Sequence, residues 1–260
     1  MDRHRDMGIT TIRTRMGRHC YGMGVGIILL DQEFPGFPGD MRNASAYPFP
    51  IQYEIAEGVD GDALVFMEDK SSCLDPMRRA AQKLERMGCR AIAGECGYFA
   101  YFQKEIAGYV EVPVFMSSLL QVPWAQQLVG PKKEVGMLVA FKNHLTTAHL
   151  EAVGIPLDSR YVIAGAVDSG RCPELNNMCG FPEPDKRSAR YDQLEQEVVE
   201  IAVDFYQSHS TMGALVIECS AMQPFARAIQ REIDIPIFSW GTLLDYAYSV
   251  VVHRDYYGHV

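Results

Sequence analysis

Apolar residues in this chain come in short uninterrupted runs, each closed by a polar or glycine-rich segment. Val25-Gly26-Ile27-Ile28-Leu29-Leu30 stops at Asp31, and Val135-Gly136-Met137-Leu138-Val139-Ala140 is its later counterpart. Runs of this length without alternation predict strands buried on both faces, as in a parallel sheet. Ala91-Ile92-Ala93, Val112 to Met116, Ala214 to Ile217 and Ile235 to Ser239 extend the pattern. Between them, Phe102, Ile106 and Val110, and again Phe225, Ile229 and Ile233, are spaced to form one apolar stripe on a helix. Further helices are predicted over 75–87, with Pro76 near the first turn and Gly88 past the end, over 144–153, closed by Gly154, and over 188–208 and 241–253. Strand and helix alternate, which predicts an α/β fold of parallel sheets flanked by helices.

The pattern occurs twice, each time around a cysteine. E-C-G-Y-F-A-Y-F-Q-K-E-I-A-G-Y-V-E-V-P-V-F at 95–115 aligns without a gap on E-C-S-A-M-Q-P-F-A-R-A-I-Q-R-E-I-D-I-P-I-F at 218–238. Two similar halves predict two pseudo-symmetric lobes with a cleft between them. We place a first lobe at 21–130, a second at 131–240, and a C-terminal helix within 241–260 that packs back on the first lobe. Two long connections, 31–50 and 168–187, read as ligand walls or lids.

Composition narrows the function classes. With 260 residues and 48% hydrophobic content the chain can bury a sizeable core. A net charge of -9 argues against nucleic acid or an anionic membrane as partner. No apolar stretch approaches the roughly 20 residues of a membrane-spanning helix. The 7 cysteines lack a framework spacing, which predicts reduced thiols and a cytoplasmic protein. Residues 1–20 hold Arg3, Arg5, Arg13, Arg15, Arg18 and His19, and read as a mobile tail or leader.

Cys96 and Cys219 are expected where a strand ends and a helix begins, the place where open α/β sheets bind ligands. Helix-start amides there stabilise a thiolate and lower its pKa. The amides of Gly97 and Tyr98, or of Ser220 and Ala221, could hold a substrate carboxylate. The other cysteines, Cys20, Cys73, Cys89, Cys172 and Cys179, read as small buried hydrophobes.

G-E-C-G-Y-F-A-Y-F-Q, P-V-F-M-S-S-L-L-Q and V-I-E-C-S-A-M-Q-P-F resemble the aspartate/glutamate racemase superfamily, from about Tyr21 to the C-terminal helix. P-G-D-M-R-N-A-S-A-Y-P-F-P is similar to a bacterial branch of racemase family proteins. Members include amino-acid and hydantoin racemases, maleate isomerase, arylmalonate decarboxylase and the algal dimethylsulfoniopropionate lyase. The resemblance implies chemistry next to a carboxylate with no cofactor, Cys96 and Cys219 being the acid/base pair and Ser117 and Ser118 a substrate contact. Ser220, Ala221 and Met222 depart from the threonine and histidine that follow the second cysteine of glutamate racemases, so glutamate is not the expected substrate. Tyr98, Phe99, Tyr101 and Phe102 crowd the first turn, and aromatic faces attract sulfonium and quaternary ammonium groups. Phe102 is expected to face the core.

Asp40 is a loop acid able to orient substrate, with turn formation competing; Asn143 and Thr146 could bind a carboxylate, with helix capping competing. Glu95 and Glu218 alternate away from the cysteines if their strands continue, which predicts structural roles. Gly22-Met23-Gly24-Val25-Gly26 precedes its strand and is no dinucleotide fingerprint. His144 with His149, and Cys172 with Cys179, lack a complementary ligand set, so no metal is expected. The expectation is therefore a cofactor-independent racemase or epimerase acting on a small carboxylate. A lyase using the same cysteine chemistry is the first alternative, and a thiol switch or small-molecule-binding protein the second. Homo-oligomerisation stays open.

Overall fold

The computed structural model describes residues 11, 13–179 and 184–256. The chain runs through β1 (Val25–Leu30), β2 (Ile51–Ala56), α1 (Ser71–Arg86), β3 (Ala91–Gly94), α2 (Gln103–Ala107), β4 (Val114–Phe115) and α3 (Val122–Val129). It continues through β5 (Glu134–Val139), α4 (Thr147–Ala152), β6 (Tyr161–Gly165), α5 (Pro173–Cys179), α6 (Tyr191–Gln207), β7 (Met212–Ile217), α7 (Ala226–Glu232), β8 (Ile237–Phe238) and α8 (Trp240–Val251). The strands form two four-stranded parallel sheets of the same topology, β2-β1-β3-β4 and β6-β5-β7-β8. The fold is two-lobed α/β.

Each sheet is covered on both faces, which is why the central strands carry apolar residues without alternation. In β1, Ile28 and Leu30 pack with Leu84 of α1 and with Phe102 and Ile106, while Val25 and Ile27 pack on the opposite side. That opposite layer is α8, whose Trp240, Leu243 and Leu244 meet Val25, Ile27 and Ala93. The second sheet shows the reciprocal arrangement. Val135, Met137 and Val139 of β5 pack against Leu119, Val122 and Ala125, which belong to α3 and the turn before it. Each lobe therefore receives one covering helix from the end of the other's sequence. The division by sequence at Pro131 falls after α3, yet α3 covers the second sheet.

Several elements differ from the pattern-based expectation. The cysteine helices begin as 3-10 turns, Gly97–Phe102 and Ser220–Phe225, and become α-helical only at α2 and α7. The helix predicted over 75–87 starts earlier, at Ser71, with Pro76 inside it. That over 144–153 is shortened to α4 because Lys142–His144 forms a separate 3-10 turn. Strands β2 and β6 escape the sequence reading because they are mostly half-buried edge strands, β2 mixing polar with apolar residues and β6 offering only a short run. The 168–187 connection contains α5. Most of the predicted N-terminal tail, residues 1–10 and 12, lies outside the described residues, but its end is docked, the His19 amide donating to the Arg86 carbonyl at 2.9 Å. No described helix is long and apolar enough to cross a membrane.

Trp240 ties the exchanged helix to the second cysteine junction. It is fully buried, and its Nε1 donates to the Glu218 carbonyl at 2.7 Å. Trp240→Phe should keep most of the packing, remove this bond and cost about 1 kcal/mol in chemical denaturation, whereas Trp240→Ala should cost about 3–5 kcal/mol. A Trp240→Phe protein as stable as wild type would contradict the hydrogen-bond contribution, and equal losses for the two variants would contradict the packing contribution.

Candidate active site

Each cysteine follows the carboxyl end of a central strand by the same short step. β3 stops at Gly94 and β7 at Ile217, so that Glu95-Cys96 and Glu218-Cys219 are extended links into the two 3-10 turns. The amides of Tyr98 and Ala221 donate towards Cys96 and Cys219 respectively, the same contact in both lobes. The preceding glutamates also match. The Leu30 amide, at the end of β1, donates to Glu95 Oε1 at 3.0 Å, and the Ala140 amide, just past β5, donates to Glu218 Oε2 at 3.3 Å. The two junctions face one cavity of about 260 Å³, lined by Cys96, Gly97, Tyr98, Cys219, Ser220 and Ala221.

The first long loop supplies the near wall. Gly39 adopts φ 96°, and a Cβ there would lie 3.2 Å from the Pro224 Cα, so a left-handed turn lets the first lobe touch the second. Asp40 follows, its carboxylate accepting the Arg42 amide at 2.7 Å. This turn sends the Arg42 guanidinium to Glu95, to the Gln32 carbonyl at 2.5 Å and over the Phe34 ring at 4.6 Å. From the second lobe, Arg187 also lies over Phe34 and donates to the Glu33 carbonyl at 2.6 Å. Phe66 and Phe141 meet edge to face across the lobes, with ring centroids 5.1 Å apart, and both line the cavity.

Burial dominates the electrostatics. It pushes Asp40 up to about 6 against the opposing Arg42 amide and charge, and Glu95 up to about 7 against the same guanidinium. Glu218 is pushed to about 8, opposed only by the Ala140 amide. Both cysteines are driven well above the ordinary thiol value, first by burial and then by the negative charge Glu218 can carry. The sequence-based expectation of thiolates held at low pKa is thus reversed: the turn amides favour the thiolate, but desolvation is larger.

Of the residues picked from sequence, Cys96, Cys219, Gly97, Tyr98, Ser220, Ala221 and Asp40 line the cavity. Tyr98 does so with its ring, because its hydroxyl is spent bridging the lobes, accepting from the Phe141 amide and donating to the Phe141 carbonyl, each at 2.8 Å. Ser117, Ser118, Asn143 and Thr146 are engaged elsewhere. Ser117 accepts from the Leu119 amide as a cap, and Ser118 Oγ donates to the Ile217 carbonyl at 2.8 Å. Asn143 bonds Asp168, and Thr146 forms a capping box with His149. Phe102 is buried in the first-lobe core. Glu95 and Glu218 line the cavity instead of serving the core alone, because the strands end one residue before them and strand alternation no longer applies. Arg42 and Cys179 also line it. Arg42 sits in the P-G-D-M-R-N segment two residues past Asp40, a spacing that an Asx turn makes significant.

No family model matches the chain. Among curated proteins, dimethylsulfoniopropionate lyase 3 of Emiliania huxleyi (strain CCMP1516) is 24% identical over 222 residues, 82% of this chain and 56% of that protein. The dimethylsulfoniopropionate lyase of Durusdinium sp. clade D is 23% identical over 219 residues, covering 82% of this chain and 70% of its own length. The chain thus spans little more than half the length of the first of these relatives. Among solved structures, unliganded arylmalonate decarboxylase superposes with a TM-score of 0.53 at 11% identity, covering 88% of this chain and 92% of the other. A glutamate racemase from Bacillus anthracis gives 0.53 at 12%, covering 89% and 82%. In its two-lobed fold the chain is similar to arylmalonate decarboxylase and glutamate racemase.

Proposed function

We propose that the chain is a cofactor-independent enzyme in which Cys96 and Cys219 move a proton at the α-carbon of a small carboxylate carrying a cationic β-substituent. Elimination of that substituent is its best-supported outcome. The observation that carries this reading is the charge balance around the two cysteines. Asp40, Asp62 and Glu95 line the cavity, while of the two guanidiniums at its wall Arg42 is committed to Glu95 and Arg187 lies over Phe34. A cationic substrate supplies the positive charge this cavity lacks. It also favours thiolate over thiol by Coulomb attraction, so the substrate helps to activate its own base. The aromatic wall of Phe66, Tyr98 and Phe141 suits a sulfonium or ammonium group. The curated relatives are named for a substrate that is a sulfonium acid.

In the proposed reaction one thiolate takes the α-proton and becomes a thiol. The electron pair left on carbon forms the α,β double bond as the β-substituent leaves with its bonding pair, giving an unsaturated acid and a neutral leaving group. Burial excludes bulk water from the carbanion-like intermediate, and positioning by both lobes replaces the collision otherwise needed. The second reading is racemisation, and the duplicated cysteine turns favour it. There the second cysteine, as thiol, returns a proton to the opposite face before any substituent leaves.

The test is incubation with dimethylsulfoniopropionate beside a panel of small amino and hydroxy acids. Acrylate with dimethyl sulfide is expected from the sulfonium compound, and replacing the abstracting cysteine, as Cys96→Ser or Cys219→Ser, should lower the rate at least about a hundredfold. Inverted enantiomer without elimination would establish the racemase reading instead; no turnover of any panel member would sink both. The free enzyme should also show the pH behaviour of buried thiols. Alkylation of Cys96 and Cys219 by iodoacetamide should still be climbing above pH ~9, because the folded protein holds both protons past the ordinary range. A plateau reached near neutrality would contradict that ordering.

A further inference from the structure

The duplicated glutamates invite comparison, since each accepts an amide from the end of the neighbouring strand on one oxygen and leaves the other without a hydrogen-bond partner among the described residues. They differ in charge surroundings: on Glu95 the Arg42 guanidinium joins the Leu30 amide at Oε1, a counter-cation that favours the carboxylate. Glu218 is fully buried, and its Oε1 has no hydrogen-bond partner among the described residues. No cation is paired with it in the described structure. Its Oε2 accepts the Ala140 amide, which leaves Oε1 as the oxygen for a proton. That oxygen lies directly over Gly97, beside Cys96: a Cβ on Gly97 would come within 1.9 Å of it. Glu218 therefore reaches from the second lobe to the first cysteine turn while adjoining Cys219 in sequence. The bare Cα of Gly97 is the space it occupies.

We infer that Glu218 is a further catalytic residue, a neutral carboxylic acid whose Oε1–H donates a hydrogen bond to the substrate carboxylate and to the enediolate that carboxylate becomes when the α-proton leaves. This rests on the proposed proton transfer and assigns the group that holds the carboxylate end. The need for such a donor is general. Removing an α-proton from a carboxylate places a second negative charge on its two oxygens, and a buried donor already aimed there is worth most where water is excluded. A carboxyl without a counter-cation holds its proton, and an arriving carboxylate makes it hold the proton more firmly. The burial-raised pKa of about 8 agrees with this geometry. The titratable groups facing Glu218 are the thiols Cys96, Cys219 and Cys179 and the phenol of Tyr98, whose described shifts are all upward. Farther round the cavity lie Arg42 and the carboxyls Asp40 and Glu95, which burial pushes up to about 6 and about 7.

Binding of propionate, which carries no leaving group, separates this assignment from the reaction itself. Its dissociation constant is measured from about pH 6 to pH 9 through protection of Cys96 and Cys219 from iodoacetamide, in wild type, Glu218→Gln and Glu218→Leu. Glutamine keeps a donor at the same place and cannot lose it. Wild-type affinity should fall as pH rises through the Glu218 pKa, approaching about tenfold per unit, while Glu218→Gln should lack that step. Asp40 and Glu95 remain in both proteins, so the difference isolates Glu218. At the acid end Glu218→Leu should bind at least about tenfold more weakly than wild type. Absence of saturable protection in wild type, the same upper pH step in Glu218→Gln, or undiminished affinity in a folded Glu218→Leu would overturn the assignment. Should the leucine variant fail to fold, the glutamine comparison decides alone. Propionate binding with the expected pH step but without turnover of any substrate would defeat the proposed reaction and leave the carboxylate donor standing.

Discussion

The structure turns on the contact between the Glu218 carboxyl and the Cα of Gly97, where the second lobe touches the first between the two cysteines. A carboxyl buried without a cation is costly, and the fold invests in holding it there. The Ala140 amide takes one oxygen, while Trp240 and Ser118 bind the local backbone carbonyls. Because those anchors come from the end of β5, from α8 and from the turn before α3, the junction is fixed by both lobes at once. The same burial that pushes Glu218 up also raises both cysteines, so one constraint acts on all three groups.

The exchange of α3 and α8 between the sheets explains how two short lobes hold a common cavity. Neither sheet has both faces covered by helices of its own half, so separating the halves would expose Val25, Ile27 and Ala93 on one sheet and Val135, Met137 and Val139 on the other. Burial of this kind is worth about 25 cal/mol per Å² of apolar surface, which makes the interface part of the core. The cysteine turns can then face each other at fixed spacing without a disulfide, and all 7 cysteines are free.

Much of this was legible in the sequence because duplication is a long-range signal written locally. Aligning E-C-G-Y-F with E-C-S-A-M locates both cysteines, and the unalternating runs locate the central strands. What stayed hidden depended on where strands stop. Had β3 and β7 continued, Glu95 and Glu218 would point away from the cysteines; they end first, and both glutamates reach the cavity. Asn143 and Thr146 occupy positions equivalent to useful ones but are consumed by Asp168 and His149, partners that only the folded chain supplies. The helix exchange was likewise invisible for α3, since nothing in V-P-W-A-Q-Q-L-V tells which sheet its apolar face will cover.

The central claim is that this cavity breaks a C–H bond next to a carboxylate using its two cysteines, whichever product follows. Proton NMR in deuterium oxide reads that step directly. The account predicts loss of the α-proton signal of a turned-over carboxylate, with solvent deuterium retained at that carbon in any substrate that is not eliminated, and no such exchange once both Cys96 and Cys219 are serine. Exchange at the wild-type rate in the double-serine protein would contradict it.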